Sequence, residues 1–135
     1  MFDTAPIVYF IEEHEAFGRI ADEIFKTIKD DFSHYSFSSV ITVTEVLTQP
    51  LRRSRRDIYE KYRKFLLNSS NFVVYSIDPI IAEKAAELRA LYGIKTPDAI
   101  QLAVGIENNG TLFVTNDRAL KRVNEINVLV LKDYL

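Results

Sequence analysis

Residues 96–117 read Thr96-Pro97-Asp98-Ala99-Ile100-Gln101-Leu102-Ala103-Val104-Gly105-Ile106-Glu107-Asn108-Asn109-Gly110-Thr111-Leu112-Phe113-Val114-Thr115-Asn116-Asp117. Thr96 and Pro97 are the residues that open a helix, since proline lacks only an N–H that a first turn leaves unbonded anyway. Ala99, Leu102, Ala103 and Ile106 then recur on one helical face, and Asn108–Gly110 ends the helix. Leu112–Thr115 is a short apolar strand, and Asn116-Asp117 caps a short helix behind it. One acid stands in the helix's first turn and another just past the strand's last residue.

The same alternation runs outward in both directions. Upstream, Asp78-Pro79 opens a helix whose inward face is Ile81, Ala85, Leu88 and Tyr92, and Gly93 stops it. Phe72–Tyr75 precedes it as a strand. Residues 53–67 form a basic amphipathic helix with Ile58, Tyr62, Phe65 and Leu66 inward, and residues 15–31 form another with Phe17, Ile20, Ala21, Ile24 and Ile28 inward. Phe37–Ser39 is a strand. Residues 40–48 are double-edged: Val40-Ile41-Thr42-Val43-Thr44 favours a strand by propensity. Ser39 as N-cap, with Thr42 and Glu45 spaced as a capping box, favours a helix, and the segment is read as helix. Downstream, Val128–Leu131 is a last strand. Short strands separated by helices make an α/β fold, a parallel sheet covered on both faces.

Ligands of such sheets gather at the C-terminal ends of the strands, and this singles out four acids. If Met1-Phe2 ends a first strand, Asp3 sits at its tip, just before the turn-prone run Thr4-Ala5-Pro6. Glu45 lies one turn into the helix after Phe37–Ser39. Asp98 is in a first helical turn, and Asp117 follows a strand directly. Each alone has a bland reading: a solvated terminus for Asp3, a capping-box partner of Thr42 for Glu45, a helix-dipole charge for Asp98, an N-cap for Asp117. Together they would repel one another, and Mg2+ or Mn2+, which prefers oxygen ligands, would relieve that. Such an ion can polarise a phosphoryl oxygen and lower the pKa of an attacking water.

Composition narrows the field. The chain has 135 residues, 47% hydrophobic and 27% charged, a formal net charge of −2 and no cysteine. It fits one domain, residues 1–135. Thiolate catalysis, disulfides and cysteine zinc sites are excluded. Bulk positive charge does not hold any nucleic acid here, so a metal would have to meet the phosphates. His14 and His34 are read as surface or helix-end residues. The four glycines form no phosphate-binding loop. No apolar run approaches the roughly 18 residues of a membrane span, and no secretory leader is recognisable, so the expectation is a cytoplasmic protein without a membrane.

The pieces Asp3-Thr4-Ala5-Pro6-Ile7-Val8-Tyr9, Thr44-Glu45-Val46-Leu47, Thr96-Pro97-Asp98-Ala99-Ile100-Gln101-Leu102-Ala103 and Thr115-Asn116-Asp117 occur in an order that spans nearly the whole chain. In this the chain resembles the PIN-domain ribonucleases, most closely the VapC-type toxins of bacterial and archaeal toxin–antitoxin pairs. The resemblance implies a three-layer fold, a short, mostly parallel sheet flanked by helices. It implies that Asp3, Glu45, Asp98 and Asp117 bind Mg2+ or Mn2+ and hydrolyse RNA through an activated water, with Thr115 and Asn116 supporting the site. It further implies a homodimer and a cognate antitoxin that occludes the acids, often with a basic side chain. Two features depart from the family pattern: only Met1 and Phe2 precede Asp3, and Arg118-Ala119-Leu120 stands where many relatives carry a further acid.

Two basic groups could contact RNA. Arg118 and Arg122 follow Asp117 closely, with Lys121 between them. Arg52 and Arg53 open a dense run with Arg55 and Arg56 that is equally readable as a solvated helix face. Beside the ribonuclease stand two alternatives: a non-catalytic PIN-like binding module, and an unrelated Mg-dependent α/β phosphoryl-transfer domain. The latter needs a lysine reaching a phosphoacceptor Asp, and none is convincingly placed.

Overall fold

The computed structural model describes residues 1–135. In chain order the elements are α1 (Thr4–Ile11), α2 (Gly18–Asp30), β1 (Ser36–Ser39), α3 (Val40–Arg52), α4 (Arg56–Asn68) and β2 (Phe72–Tyr75). There follow α5 (Pro79–Tyr92), α6 (Thr96–Glu107), β3 (Leu112–Thr115), a 3-10 turn (Arg118–Arg122), β4 (Asn127–Val130) and a last 3-10 turn (Leu131–Tyr134). No helix is long and apolar enough to cross a membrane.

The strands form two parallel pairs, β1 with β2 and β3 with β4. Residues 1–3 join them. Phe2 N–H donates to Phe37 O of β1 at 2.8 Å, Asp3 N–H donates to Val114 O of β3 at 2.9 Å, and Val114 N–H donates to Met1 O at 2.9 Å. The chain's first residues therefore lie in the middle of the sheet, and Asp3 is the residue at which that segment turns into α1. Neighbouring side chains on these strands go to opposite faces, as the two-residue period of extended backbone requires. Met1, Phe37 and Phe113 enter one core with Ala85, Leu88 and Leu102 of α5 and α6. Phe2, Phe72 and Val114 enter the other with Ile7, Val46, Tyr62 and Leu66 of α1, α3 and α4. This is the three-layer α/β arrangement, with helices on both faces of a short parallel sheet.

Local chemistry sets most boundaries. Asp78 accepts from Ile81 N–H at 2.9 Å with Pro79 at the first helical position, and Gly93 ends α5 at φ 64°, a left-handed conformation that costs glycine nothing. Ser39 caps α3 by accepting from Ile41 N–H, so residues 40–48 are helical despite their β-branched content.

Three local expectations are corrected. The Thr42–Glu45 capping box does not form, because the Thr42 hydroxyl is buried among Thr4, Ser38 and Gln101. The basic helix begins at Arg56 and not at residue 53, since Ser54 at φ 53° breaks the helical path after α3. Residues 4–11, read only as a turn-prone start, are a full helix capped by Asp3.

Candidate active site

Asp3 ends the central segment and caps α1. Its Oδ1 accepts from Thr4 N–H at 2.8 Å and its Oδ2 from the Thr115 hydroxyl at 2.7 Å. Burial pushes its carboxyl above the usual carboxylate range. The Thr115 and Thr4 hydrogen bonds oppose that, the charge of Asp117 adds to it, and the Gln101 amide opposes it weakly. Thr115, wholly buried at the end of β3, also accepts from Asp117 N–H at 3.2 Å. One hydroxyl thus fixes both Asp3 and the turn that carries Asp117. Asp117 itself is exposed and caps the following 3-10 turn through Ala119 N–H at 2.9 Å.

Asp98 stands half-buried in the first turn of α6. Its carboxyl is also raised, first by burial and then by the charges of Asp3, Asp117 and Glu45, with Lys95 pulling weakly the other way. Asp98 thus feels the charges of residues 3, 45 and 117. Glu45 acts from the exposed side of α3. No lysine or arginine is ion-paired to any of the four; every ion pair of the chain lies elsewhere.

The donor set suits a hard divalent cation: four carboxylates, no thiolate and no imidazole. The acids stand apart, with no three spaced to grip one ion directly. That openness suits Mg2+, which typically keeps several waters and takes one or two carboxylates. None of the acids lines the groove of about 530 Å3 bordered by Phe10, Phe25, Phe65 and Phe72.

A family model for the PIN domain matches residues 1–126. The chain belongs to the PIN-domain family. Three solved structures share this PIN-domain fold. VapBC2 from Rickettsia felis, bound to a DNA fragment from their promoter, is 19% identical, with 96% of each chain covered and a TM-score of 0.75. A toxin–antitoxin complex from Klebsiella pneumoniae is 22% identical over 96% of this chain and 95% of that one, at 0.71. DNA-bound VapBC from Salmonella typhimurium is 19% identical over 97% and 96%, at 0.68. No curated protein sequence matches the chain.

Of the other residues singled out in the sequence, Asn116 faces away from the acids. Its amide donates to Tyr9 Oη at 3.1 Å and accepts from Lys132 N–H at 3.0 Å, bracing the rim of the PIN domain against α1 and the C-terminal turn. Arg118 is exposed and paired with Asp133 at 3.0 Å, and Lys121 shares that carboxylate. Arg122, Arg52 and Arg53 are exposed and in no ion pair.

Sequence reading missed the polar layer beneath the acids: buried Ser38, Ser39, Thr42 and Gln101, with half-buried Thr4. Gln101 is only 1% exposed. Its signal was a polar residue one turn after Asp98, inside a run, Ala99 to Ile106, otherwise made of Ala, Ile, Leu, Val and Gly.

Proposed function

We propose that this PIN-domain protein is a metal-dependent endoribonuclease, the toxin of a VapC-type toxin–antitoxin pair. The observation that carries the reading is an acidic set without an ion-paired cation: no lysine or arginine is ion-paired to Asp3, Glu45, Asp98 or Asp117, and the Asp98 carboxyl is raised first by burial and then by the other three charges, with Lys95 opposing only weakly. A site built this way is electrostatically incomplete. In this reading residues 1–135 work as one nuclease domain, and Asp3, Glu45, Asp98 and Asp117 hold Mg2+ or Mn2+.

The bound ion would polarise the scissile phosphate and lower the pKa of the water that attacks it. The chain's own part is positional. Thr115 holds Asp3 and the Asp117 turn together, and α3 and α6 bring Glu45 and Asp98 to them. Asn116 supports the site indirectly, by fixing the rim. A long RNA would lie across the open cluster, guided by Arg118 and Arg122 on one side and by Arg52 and Arg53 on the other. Arg52 lies two turns beyond Glu45 on α3, about 10 Å along the axis, a spacing suited to a neighbouring phosphate. The similar structure from Klebsiella pneumoniae is a toxin–antitoxin complex, which supports an antitoxin partner that covers the acids. A homodimer working in the cytoplasm completes the proposal.

The test is incubation of the purified protein with total cellular RNA in Mn2+ or Mg2+, in EDTA, and with Asp98→Asn. Cleavage that needs both metal and Asp98 supports the reading. Divalent-dependent cleavage surviving in the variant would sink the site. A folded protein that neither cleaves RNA nor binds Mn2+ would favour a non-catalytic binding module.

A further inference from the structure

Beneath the acids lies a closed set of hydrogen bonds that no acid-centred reading requires. Gln101 is at its centre, and its orientation follows from its partners. The Ser39 hydroxyl already accepts from Ile41 N–H at 3.2 Å, so its proton is free to go to Gln101 Oε1, 2.5 Å away. That fixes the amide: Oε1 faces Ser39, and Nε2 faces the other way. There Nε2 donates to Thr42 Oγ1 at 2.7 Å and, at the long distance of 3.5 Å, to Thr4 Oγ1. Thr4 and Thr42 hydroxyls are 2.9 Å apart, and Ser38 Oγ lies 2.8 Å from Thr42 Oγ1 and from the Phe2 carbonyl oxygen. No buried side-chain polar atom is left without a partner.

The sequence spacing gives this layer its meaning. Gln101 follows Asp98 by three residues on α6, and Thr42 precedes Glu45 by three on α3. Residues three apart lie on the same helical face. Thr4 adjoins Asp3 at the start of α1. The amide thus ties together the three helices whose ends carry Asp3, Glu45 and Asp98, one turn below the carboxylates. Those carboxylates repel, so the elements that carry them need an attachment that does not depend on the ion.

We propose that Gln101 is a positioning residue for the acidic cluster: its buried amide sets the spacing of Asp3, Glu45 and Asp98 before any ion arrives. The inference rests on the metal-site reading above. It predicts a loss of ion affinity out of proportion to the loss of stability. Removing the hydrogen-bonding support of metal-holding side chains typically costs about 10–100-fold in affinity.

The experiment is a Mn2+ titration by calorimetry on the unaltered chain and three variants, each with its thermal melt. Gln101→Met keeps length and volume and removes the amide. Thr42→Val removes the same contact from the α3 side. The double variant removes both partners of the Gln101–Thr42 bond, and its melt and affinity are read against those of the two single variants. Expected are a Kd about tenfold or more weaker in Gln101→Met, a weakening in Thr42→Val, and a double variant that binds no more tightly than Gln101→Met. With RNA as substrate, kcat falls and KM holds, because the residue does not touch substrate. Affinity within about twofold of the unaltered chain in both single variants, or affinity that recovers together with the melt in the double variant, overturns the proposal and leaves Gln101 a packing residue. An unaltered chain that takes up no Mn2+ overturns the metal reading and this inference with it. Should Gln101→Met not fold, Thr42→Val decides alone by the same twofold criterion.

Discussion

Thr115 and Asp3 are separated by 112 positions in the sequence and joined by a 2.7 Å hydrogen bond, hydroxyl to carboxylate. The same hydroxyl receives the Asp117 N–H at 3.2 Å. Thr115→Val keeps the shape of a wholly buried side chain and removes both functions. A buried carboxylate then loses its neutral donor, and hydrogen bonds to charged groups are worth about 1.5–3 kcal/mol. The expected loss is about 2 kcal/mol in urea denaturation with EDTA at neutral pH, with Thr115→Ser close to the unaltered chain. A Thr115→Val midpoint unchanged in urea would show that the Asp3 carboxylate finds water instead.

Asp98 provides a pH signature. Its folded pKa is raised, so the folded chain binds its proton more tightly than the unfolded chain does. Stability from this group is therefore fully present at pH below the unfolded value of about 3.9, and declines as pH rises through the folded pKa. Asp98→Asn removes the decline. The variant's advantage over the unaltered chain, in EDTA, grows from acid toward neutral pH and then levels. Saturating Mg2+ reverses it, since the ion stabilises only the chain that still binds it. Paired denaturation curves across pH, with and without Mg2+, read this directly; an advantage that shrinks with rising pH contradicts the assigned repulsion.

The two acids at the ends of residues 96–117 were legible because helix openers and strand ends have local signatures. Thr96-Pro97 and the run Leu112–Thr115 state their structure within a few residues. α1 was not legible in the same way. Ile7-Val8-Tyr9-Phe10 has strand propensity, and only tertiary burial of Ile7 and Ile11 with the cap at Asp3 makes it helical. The segment before Asp3 meets β3 through a single bridge at Phe2, which shows no alternation. Gln101 escaped because α6 is buried on more than one face: Ala99, Gln101, Leu102, Ala103, Val104 and Gly105 are all inside. A single apolar stripe was too narrow a template for such a helix. Convergence of the acids is tertiary, so spacing could nominate residues 3, 45, 98 and 117 but not bring them together.

Arg118 carries a prediction about RNA. In the free protein its guanidinium is held by Asp133, an exposed pair shared with Lys121. Exposed pairs contribute little, so Asp133→Asn leaves the thermal melt nearly unchanged. Arg118→Ala weakens RNA binding at every sequence and lowers the slope of log K against log salt by about 0.7, the value for one single-strand phosphate contact. Filter binding of a non-cleavable RNA between low and physiological salt measures it. A slope unchanged in Arg118→Ala removes this residue from the interface and leaves Arg122, Arg52 and Arg53 to be tested in the same way.

Phe25 tests how the segment before Asp3 holds that acid in place. Phe2 is 1% exposed and stacks on Phe25, centroids 4.1 Å apart and planes at 14°. Phe25 also meets Phe10 at 4.7 Å, Phe65 at 5.4 Å and Phe72 at 6.4 Å. The residue next to Asp3 is therefore anchored sideways, into a cluster of rings, as well as by its own N–H bond to Phe37 O and by the bonds of Met1 and Asp3 on either side of it to Val114. Truncating a buried phenylalanine costs about 3–5 kcal/mol, and Phe25, only partly buried, belongs at the low end. Phe65→Ala is the control, because Phe65 touches Phe10, Phe25 and Phe72 but makes no ring contact with Phe2. Both variants lose stability. Only Phe25→Ala is expected to loosen Asp3 and weaken Mn2+ binding in the folded protein, below the melting range of each variant. Equal affinity loss in the two would mean that the aromatic cluster stabilises the fold as a whole, and that the backbone bonds of residues 1–3 alone keep Asp3 at the rim.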